Sequence, residues 1–312
     1  MSSFYLSDLS ERDRPWDNHR HTADRVRDLY HGTSCEAYAD RIAQCSKLLF
    51  MNLGRQDDGE LRFKLERTQF CRVRHCPVCQ WRRSLAWIAR FHAALPKIRV
   101  DYPKARYIFL TLTLQNCPIQ DLRLSITRLN DAFRRLSKRK CFPALGYVKS
   151  VEVTRSADGS AHPHCHVLMM VRPGYFKGQS YINQERWREL WKDALRVTYD
   201  PWVHVQAIKP KKSSPDGDSG LIDALRETLK YTVKGEDLVA DQDWLIELTY
   251  QVHKTRAITV GGVLSKYLSE EEPDDDELIH GGYEDVTTHD GDPKWLFGWQ
   301  EQQQRYQGNE RG

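Results

Sequence analysis

The stretch Ala161–Val171 reads AHPHCHVLMMV and carries histidines at three alternate positions at the start of an apolar run. In a β-strand, alternate side chains share a face, so His162, His164 and His166 point the same way. Imidazoles from one strand can hold a divalent metal and leave coordination positions open for substrate or water. The simpler alternative is a buried strand with hydrogen-bonded histidines, but each buried ring then needs its own partner. The stretch therefore predicts a central strand with a metal site.

A hairpin turn at Asp158-Gly159 joins this strand to the preceding one, Leu145–Thr154, which contains the acidic residue Glu152. A carboxylate on a neighbouring strand is the obvious third metal ligand. A strict two-residue turn pairs Glu152 with Cys165, on the other face, whereas a one-residue change in the loop, or a bulge, places it opposite His164 or His166. The sequence leaves these alternatives open.

The rest of the central region predicts strands and helices that can form one sheet. Alternating apolar residues indicate strands at Arg106–Leu114, Trp202–Ile208 and Ala257–Val263, and apolar stripes indicate helices at Leu122–Lys140 and Asn183–Leu195. We therefore predict an α+β fold, together with a small N-terminal zinc-binding element.

The zinc prediction depends on the segment Phe70–Arg90, FCRVRHCPVCQWRRSLAWIAR. Three cysteines in it have C-x4-C-x2-C spacing: Cys71, Cys76 and Cys79. A tetrahedral zinc site needs a fourth ligand. Cys45 is preferred to Cys35, and to His75 because His75 adjoins Cys76 and would have difficulty turning inward beside it. The alternative is a set of small buried cysteines without a metal.

Basic and aromatic side chains decorate the same segment. They predict phosphate contacts and base stacking, and the candidates are Arg72, Arg74, Trp81, Arg82 and Arg83.

Composition and charge narrow the class of protein. The chain has 312 residues and no apolar run long enough to span a bilayer, and its charged N-terminus is unlike a signal peptide, so we expect a cytoplasmic protein. From Glu270 onward, 13 acidic residues oppose three Lys and Arg, which gives the tail −10 and residues 1–269 +14. A basic body favours a nucleic-acid partner, although a solvated basic surface is an alternative.

These patterns suggest four regions. We expect an N-terminal arm at residues 1–36, the zinc-binding and DNA-contacting element at 37–100, a catalytic domain at 101–269 and an acidic flexible tail at 270–312.

The segment Leu221–Gly235 predicts a helix with an unusual polar face. On a helix, Glu227, Tyr231 and Lys234 cluster away from the apolar stripe. An exposed tyrosine beside an ion pair would give the same pattern.

The strand FLTLT, the stretch HPHCHVL and the helix ETLKYTVK, in that order, resemble the plasmid rolling-circle replication initiators of the HUH endonuclease superfamily. The segment CRVRHCPVCQWRRSLAW resembles the cysteine-rich motif of one family of these initiators, and the resemblance covers about Ala39–Tyr267.

The resemblance implies a fold with a central antiparallel sheet and flanking helices, in a topology like that of an RNA-recognition motif. It also implies a role for each matched residue. His164 and His166 are then the paired metal ligands, with His162 as a secondary candidate. Tyr231 is the nucleophile, Glu227 the base that activates water at termination, and Lys234 an aid at the phosphate.

The resemblance also implies cofactors and partners. These are Mg²⁺ or Mn²⁺ for catalysis, Zn²⁺ for structure, double-stranded origin DNA, single-stranded or hairpin DNA, and a host helicase. The oligomeric state stays open, with a dimer as one option. Two other classes remain as alternatives: a non-catalytic zinc-containing nucleic-acid-binding protein, and a metal-dependent phosphoesterase or RNA-processing enzyme that forms no covalent intermediate.

Overall fold

A computed structural model describes residues 4–56, 59–209, 219–230, 232–283 and 286–311 of the chain. The chain divides into two compact units. The first contains residues 1–89, 238–246 and 272–312, and the second contains residues 90–237 and 247–271. Among the helices described, none is both long enough and apolar enough to cross a membrane.

The described residues form eleven strands and ten α-helices. The strands are β1 Phe4–Tyr5, β2 Leu48–Gln56, β3 Leu61–Arg67, β4 Arg106–Thr113, β5 Ala144–Arg155, β6 Ala161–Val171, β7 Val203–Ile208, β8 Ile258–Gly262, β9 Val286–Thr287, β10 Lys294–Gln300 and β11 Arg305–Arg311. The helices are α1 Leu6–Leu9, α2 Arg14–Tyr30, α3 Glu36–Gln44, α4 Pro77–Asp101, α5 Leu122–Ser137, α6 Gln184–Leu195, α7 Ser219–Leu229, α8 Gly235–Leu238, α9 Gln242–Gln251 and α10 Asp275–His280.

The second unit is built on an antiparallel sheet in the order β7-β4-β6-β5-β8. The histidine strand β6 is the central strand, and all of its residues except His162 are buried. A central strand with helices on both faces is apolar at nearly every position, and the sequence of β6 after His166 has that character. The predicted α+β class with an antiparallel sheet is confirmed.

Helices α5 and α7 cover opposite faces of this sheet. The apolar stripe of α5 is buried as predicted, and its Phe133 packs edge-on against Tyr147 of β5 with ring centroids 5.1 Å apart. Helix α7 lies on the opposite face, where Ser150 of β5 donates a hydrogen bond to the carbonyl of Thr228. The histidine face of β6 is the one that α7 covers, because Ser150 is paired with His166.

The hairpin between β5 and β6 determines on which face of the sheet the side chain of Glu152 lies. Arg155 pairs with Ala161, so five residues form the connection, and Glu152 lies directly opposite His164. Within the loop, the Ser156 N–H donates to the Ser160 carbonyl over 2.9 Å. The register differs by one residue from a strict two-residue turn, and this places the carboxylate on the histidine face.

The first unit contains a six-stranded sheet in the order β1-β11-β10-β2-β3, with β9 also paired to β2. Two sequence expectations are wrong here. The acidic tail is not a flexible extension, because β10 pairs with β2 along Leu48–Asn52 and β11 pairs with both β10 and β1. The N-terminal arm is also folded, since α2 buries Trp16 completely.

The expected boundaries at residues 36 and 100 also differ from those of the structure. The first unit continues from the N-terminus through the cysteine segment, and the division between the units falls inside α4, at Ala89 and Arg90. Sheet pairing between the two ends of the chain is the reason, because hydrogen bonds between distant strands cannot be read from local sequence.

Candidate functional site

The histidine face of the sheet carries a compact cluster of one carboxylate and two imidazoles. Nε2 of His166 lies 3.0 Å from Oε2 of Glu152, and Nε2 of His164 lies 3.5 Å from the same oxygen. All three side chains are buried, and their potential ligand atoms lie within 4.8 Å of one another. The structure therefore brings together three of the four residues predicted for the catalytic metal.

Hydrogen bonds orient the two histidines for metal binding. Nδ1 of His164 lies 3.2 Å from the carbonyl of His162, so this nitrogen donates a hydrogen bond to that oxygen and holds the ring with Nε2 directed at Glu152. A proton shared between Nε2 and the carboxylate occupies the position that a bound cation would take. On His166, Nδ1 lies 3.1 Å from the hydroxyl of Thr111. Two oriented imidazoles and a carboxylate fit a small divalent metal.

The electrostatics of Glu152 agree with this fit. Burial alone would raise the pKa of Glu152, but hydrogen bonds with His164 and His166, together with the charge of Lys230, hold it well below its usual range. The carboxylate is therefore ionised, as a metal ligand has to be.

His162 is separated from the cluster. Its Nδ1 lies 2.7 Å from the side-chain oxygen of Asn116, and it does not belong to the group formed by Glu152, His164 and His166. It is also more exposed than the other two histidines, because it lies at the beginning of β6.

Lys230 is a residue of this site that the sequence analysis missed. Its Nζ lies 2.5 Å from Oε1 of Glu227 and 3.8 Å from Oε2 of Glu152. The lysine thus connects the exposed carboxylate on α7 to the buried carboxylate of the histidine cluster. Its i+3 spacing from Glu227 was a usable signal, since residues at that spacing are neighbours on a helix.

The predicted helix Leu221–Gly235 is shorter than expected. Helix α7 ends at Leu229, so Lys234 is not on it. The chain turns toward β5 instead: the carbonyl of Thr228 accepts from Ser150, and the carbonyl of Thr232 accepts from the N–H of Val153 over 2.9 Å. Because these two carbonyl oxygens accept hydrogen bonds from β5, the backbone hydrogen-bond pattern of a helix is not continued through them. Tyr231 itself lies outside the described residues.

Four thiols converge in the first unit. Their sulfur atoms lie within 4.8 Å of one another, and the Sγ atoms of the pairs Cys45–Cys79, Cys71–Cys79 and Cys45–Cys76 are 3.6 Å apart. A tetrahedral metal with bonds of about 2.3 Å to sulfur separates its ligands by about 3.8 Å. The spacing fits such a site and is too long for a disulfide.

The choice of Cys45 as the fourth thiol agrees with this geometry. Cys35 and His75 are buried but do not belong to the cluster. Burial raises the pKa of Cys76, whereas hydrogen bonds from its three neighbours lower the pKa of Cys79. Four thiolates this close are stable only around a cation, so the donor set and spacing favour a bound metal ion over a group of free thiols.

The predicted DNA-contacting side chains have several different environments. Arg82 is buried and donates to the carbonyls of Leu278, Ile279 and Gly281, at the end of α10. The structure therefore gives Arg82 a structural role in place of the expected DNA contact. Trp81 is partly exposed and stacks on His19, with ring centroids 4.8 Å apart.

The remaining arginines of this set face the acidic segment. Arg72 forms an ion pair with Asp275, and Nε of Arg83 lies 3.4 Å from Oε2 of Glu272. Burial lowers the pKa of Arg74 to about 10, and the charge of Glu272 opposes that effect. The acidic residues thus neutralise part of the surface that the sequence assigned to DNA.

The fold and the two clusters define an α+β protein with one four-thiol site and one imidazole–carboxylate site, each suited to a metal. Comparisons with known proteins give the family. The model of the family described as "Replication protein" matches residues 62–307.

Among curated relatives, "Protein rep" of Lactiplantibacillus plantarum is 38% identical over 237 residues, which are 72% of this chain and 74% of the relative. "Protein rep" of Lentilactobacillus hilgardii is 32% identical over 280 residues, 85% of this chain and 86% of the relative. No solved structure matches the chain. The chain belongs to the Replication protein family, and the predicted resemblance to plasmid replication initiators is thereby confirmed.

Proposed function

We propose that this protein initiates plasmid rolling-circle replication by nicking and rejoining one DNA strand at the origin, through a covalent link to Tyr231. The observation that carries the proposal is the convergence of His164 and His166 on Glu152, on the face that α7 covers. In a member of the Replication protein family whose sequence also carries a candidate nucleophilic tyrosine, a metal site of this kind is suited to cleaving a phosphodiester.

The metal would be held by Glu152, His164 and His166, with His162 as a secondary candidate. When bound, Mg²⁺ or Mn²⁺ supplies positive charge that polarises the non-bridging oxygens of the scissile phosphate. The protein's contribution is to fix the two imidazoles by hydrogen bonds and to keep the carboxylate ionised in a buried position.

In the proposed nicking step, the phenol oxygen of Tyr231 forms a bond to phosphorus while the bond from phosphorus to the 3′ oxygen breaks. The proton lost by the phenol balances the one gained by the leaving oxygen. The products are a 5′-phosphotyrosine and a free 3′-OH that primes synthesis, and the phosphodiester energy is retained for joining. Thr228 and Thr232, which flank this position in sequence, are tied to β5 on either side of Glu152.

Glu227 is proposed to act at termination, where it takes a proton from a water that attacks the phosphate, so that no second covalent link forms. Its carboxylate is exposed and is held by Lys230. Lys234, which is also exposed, would contact the phosphate.

The four-thiol site would hold one structural Zn²⁺. The proposed substrates are double-stranded origin DNA and the single-stranded or hairpin form that it extrudes. A host helicase is the further partner that the family resemblance suggests.

The decisive experiment is incubation of the protein with supercoiled origin plasmid and Mn²⁺, followed by denaturing electrophoresis. We expect a nicked plasmid and a covalent protein–DNA adduct, with the nucleotide mapped to Tyr231. Tyr231→Phe should fold and bind DNA but form neither product. The matched control is Tyr250→Phe, since Tyr250 is exposed and lies on α9, and it should behave as the wild type.

Other outcomes separate the alternatives. Nicking without an adduct, retained by Tyr231→Phe, would indicate a phosphoesterase that activates water directly. DNA binding without nicking, unaffected by His164→Ala combined with His166→Ala, would indicate a non-catalytic nucleic-acid-binding protein. If Tyr231→Phe still forms an adduct on another tyrosine, the nucleophile is misassigned but the covalent mechanism stands.

A further inference from the structure

An exposed tryptophan lies at the edge of the sheet that carries the proposed active site. Trp202 immediately precedes β7 and is 58% exposed. The structure describes all nine tryptophans of the chain, and Trp202 is the one with an exposed side chain; the others are buried or partly buried. Large aromatic rings in water are unfavourable, and they mark binding surfaces when they occur near a site.

The ring of Trp202 stacks against the ring of His204. The two rings are nearly parallel, with centroids 5.9 Å apart and an interplanar angle of 11°. They are two residues apart at one edge of the sheet, so they share a face. The backbone is fixed as well, because both the N–H and the hydroxyl of Thr113 donate to the carbonyl of Trp202, over 3.3 and 3.0 Å. The pair is therefore held in place before any ligand binds.

The sheet register places this pair on the same face as the metal cluster. Thr111 of β4 is paired with His204 on one side and with His166 on the other. His204 is thus two strands from His166, a separation of about 10 Å. A single strand of DNA with its scissile phosphate at the histidine cluster would place a neighbouring nucleotide near the pair.

A hollow beside Trp202 offers polar partners for the edge of a base. It has a volume of about 320 Å³ and is lined by Gln184, Arg188 and Asp200, among others. These side chains carry both hydrogen-bond donors and hydrogen-bond acceptors for the edge of a base. An aromatic ring alone offers only a stacking surface.

We propose that Trp202 and His204 form a stacking platform for one unpaired base of the strand that is cut, one or two nucleotides from the scissile phosphate. The inference rests on the proposed function, and it assigns one pair of residues to the binding of one unpaired base in the proposed single-stranded substrate. In a duplex both faces of each base are already stacked, so only an unpaired base can lie on the platform. Continuity with the metal cluster on one face favours DNA over a protein partner.

The test measures binding of a single-stranded oligonucleotide that contains the nick site, in a Tyr231→Phe background that prevents cleavage. Trp202→Ala should weaken binding by about ten- to a hundredfold, as expected for loss of one base–aromatic stack. Trp202→Phe should recover most of the affinity. The control Tyr250→Ala removes an exposed aromatic residue from α9, and it should leave binding unchanged.

A series of oligonucleotides, each with one abasic position, locates the base. The penalty of Trp202→Ala should disappear at a single abasic position near the scissile phosphate and persist at all others. Binding to fully paired DNA should be the same with and without the tryptophan. An equal penalty at every position, a penalty on duplex DNA, or no penalty at all would overturn the platform.

The platform and the proposed function can fail separately. If wild-type protein forms no adduct but the single abasic position still removes the Trp202 penalty, the platform stands and the nicking mechanism fails. If nicking occurs on Tyr231 but the penalty shows no dependence on position, the platform fails alone.

Discussion

Replacement of Cys76 by serine tests the four-thiol site. The Cys76 side chain is fully buried, and its sulfur lies 3.6 Å from that of Cys45. Serine has nearly the same shape, so packing changes little, but a hydroxyl is a poor zinc ligand. We expect Cys76→Ser protein to lose the metal and the first unit to lose stability.

The size of the loss follows from the site. Binding of a structural zinc contributes about 10 to 16 kcal/mol, and a variant that no longer holds the metal loses this whole contribution. A buried hydroxyl without a full set of partners adds about 1 to 3 kcal/mol. The first unit of the variant should therefore not fold stably, because the lost contribution is as large as the total stability of an ordinary domain, about 5 to 15 kcal/mol.

Metal analysis and thermal unfolding measure the two effects together. Wild-type protein should contain about one zinc per chain, and Cys76→Ser less than a tenth of that. The matched control is Cys35→Ser, which changes a buried cysteine of the same unit outside the cluster and should keep the metal. Wild-type protein without zinc, or a Cys76→Ser variant that melts like Cys35→Ser, would refute the reasoning.

Three further predictions test the charges. Lys230→Met removes the positive charge that Glu227 holds beside the proposed metal site. Because this charge repels a bound cation, the Mn²⁺ concentration for half-maximal nicking should fall about fivefold. An unchanged Mn²⁺ titration would contradict this. A double variant, Glu272→Gln with Asp275→Asn, breaks the ion pairs of Arg83 and Arg72 in the cysteine segment. The variant should bind nonspecific DNA more tightly than the wild type at low salt, and the difference should disappear as salt rises. An equal salt dependence in both proteins would count against this prediction. Burial lowers the pKa of His19 to about 4, so the native state binds fewer protons than the unfolded state between that pH and about 6.5. Acidification through this window should destabilise the protein by up to about 3 kcal/mol, and His19→Phe should flatten that slope in urea unfolding measured from pH 7 to 4.

Local patterns in the sequence determined much of the second unit. Alternating apolar residues predicted its central strands, and the helical stripe of α5 was buried as expected. The histidines of β6 and the C-x4-C-x2-C spacing also predicted most members of the two clusters that could hold a metal, because side chains close in sequence share one strand or one turn.

Only the tertiary structure decided which distant groups meet. The position of Glu152 depended on one residue in a hairpin loop, since a shift by one residue moves a side chain to the other face of a strand. Helix α7 ends at Leu229 because the chain there forms hydrogen bonds to β5. The C-terminal segment is folded because its strands pair with β2 and β1. Composition suggested a mobile acidic tail there, but strand pairing across more than 200 residues is a long-range contact that no local charge pattern reveals. The candidate site residues were thus predicted from local sequence, whereas their arrangement depends on strand register and strand pairing in the two sheets.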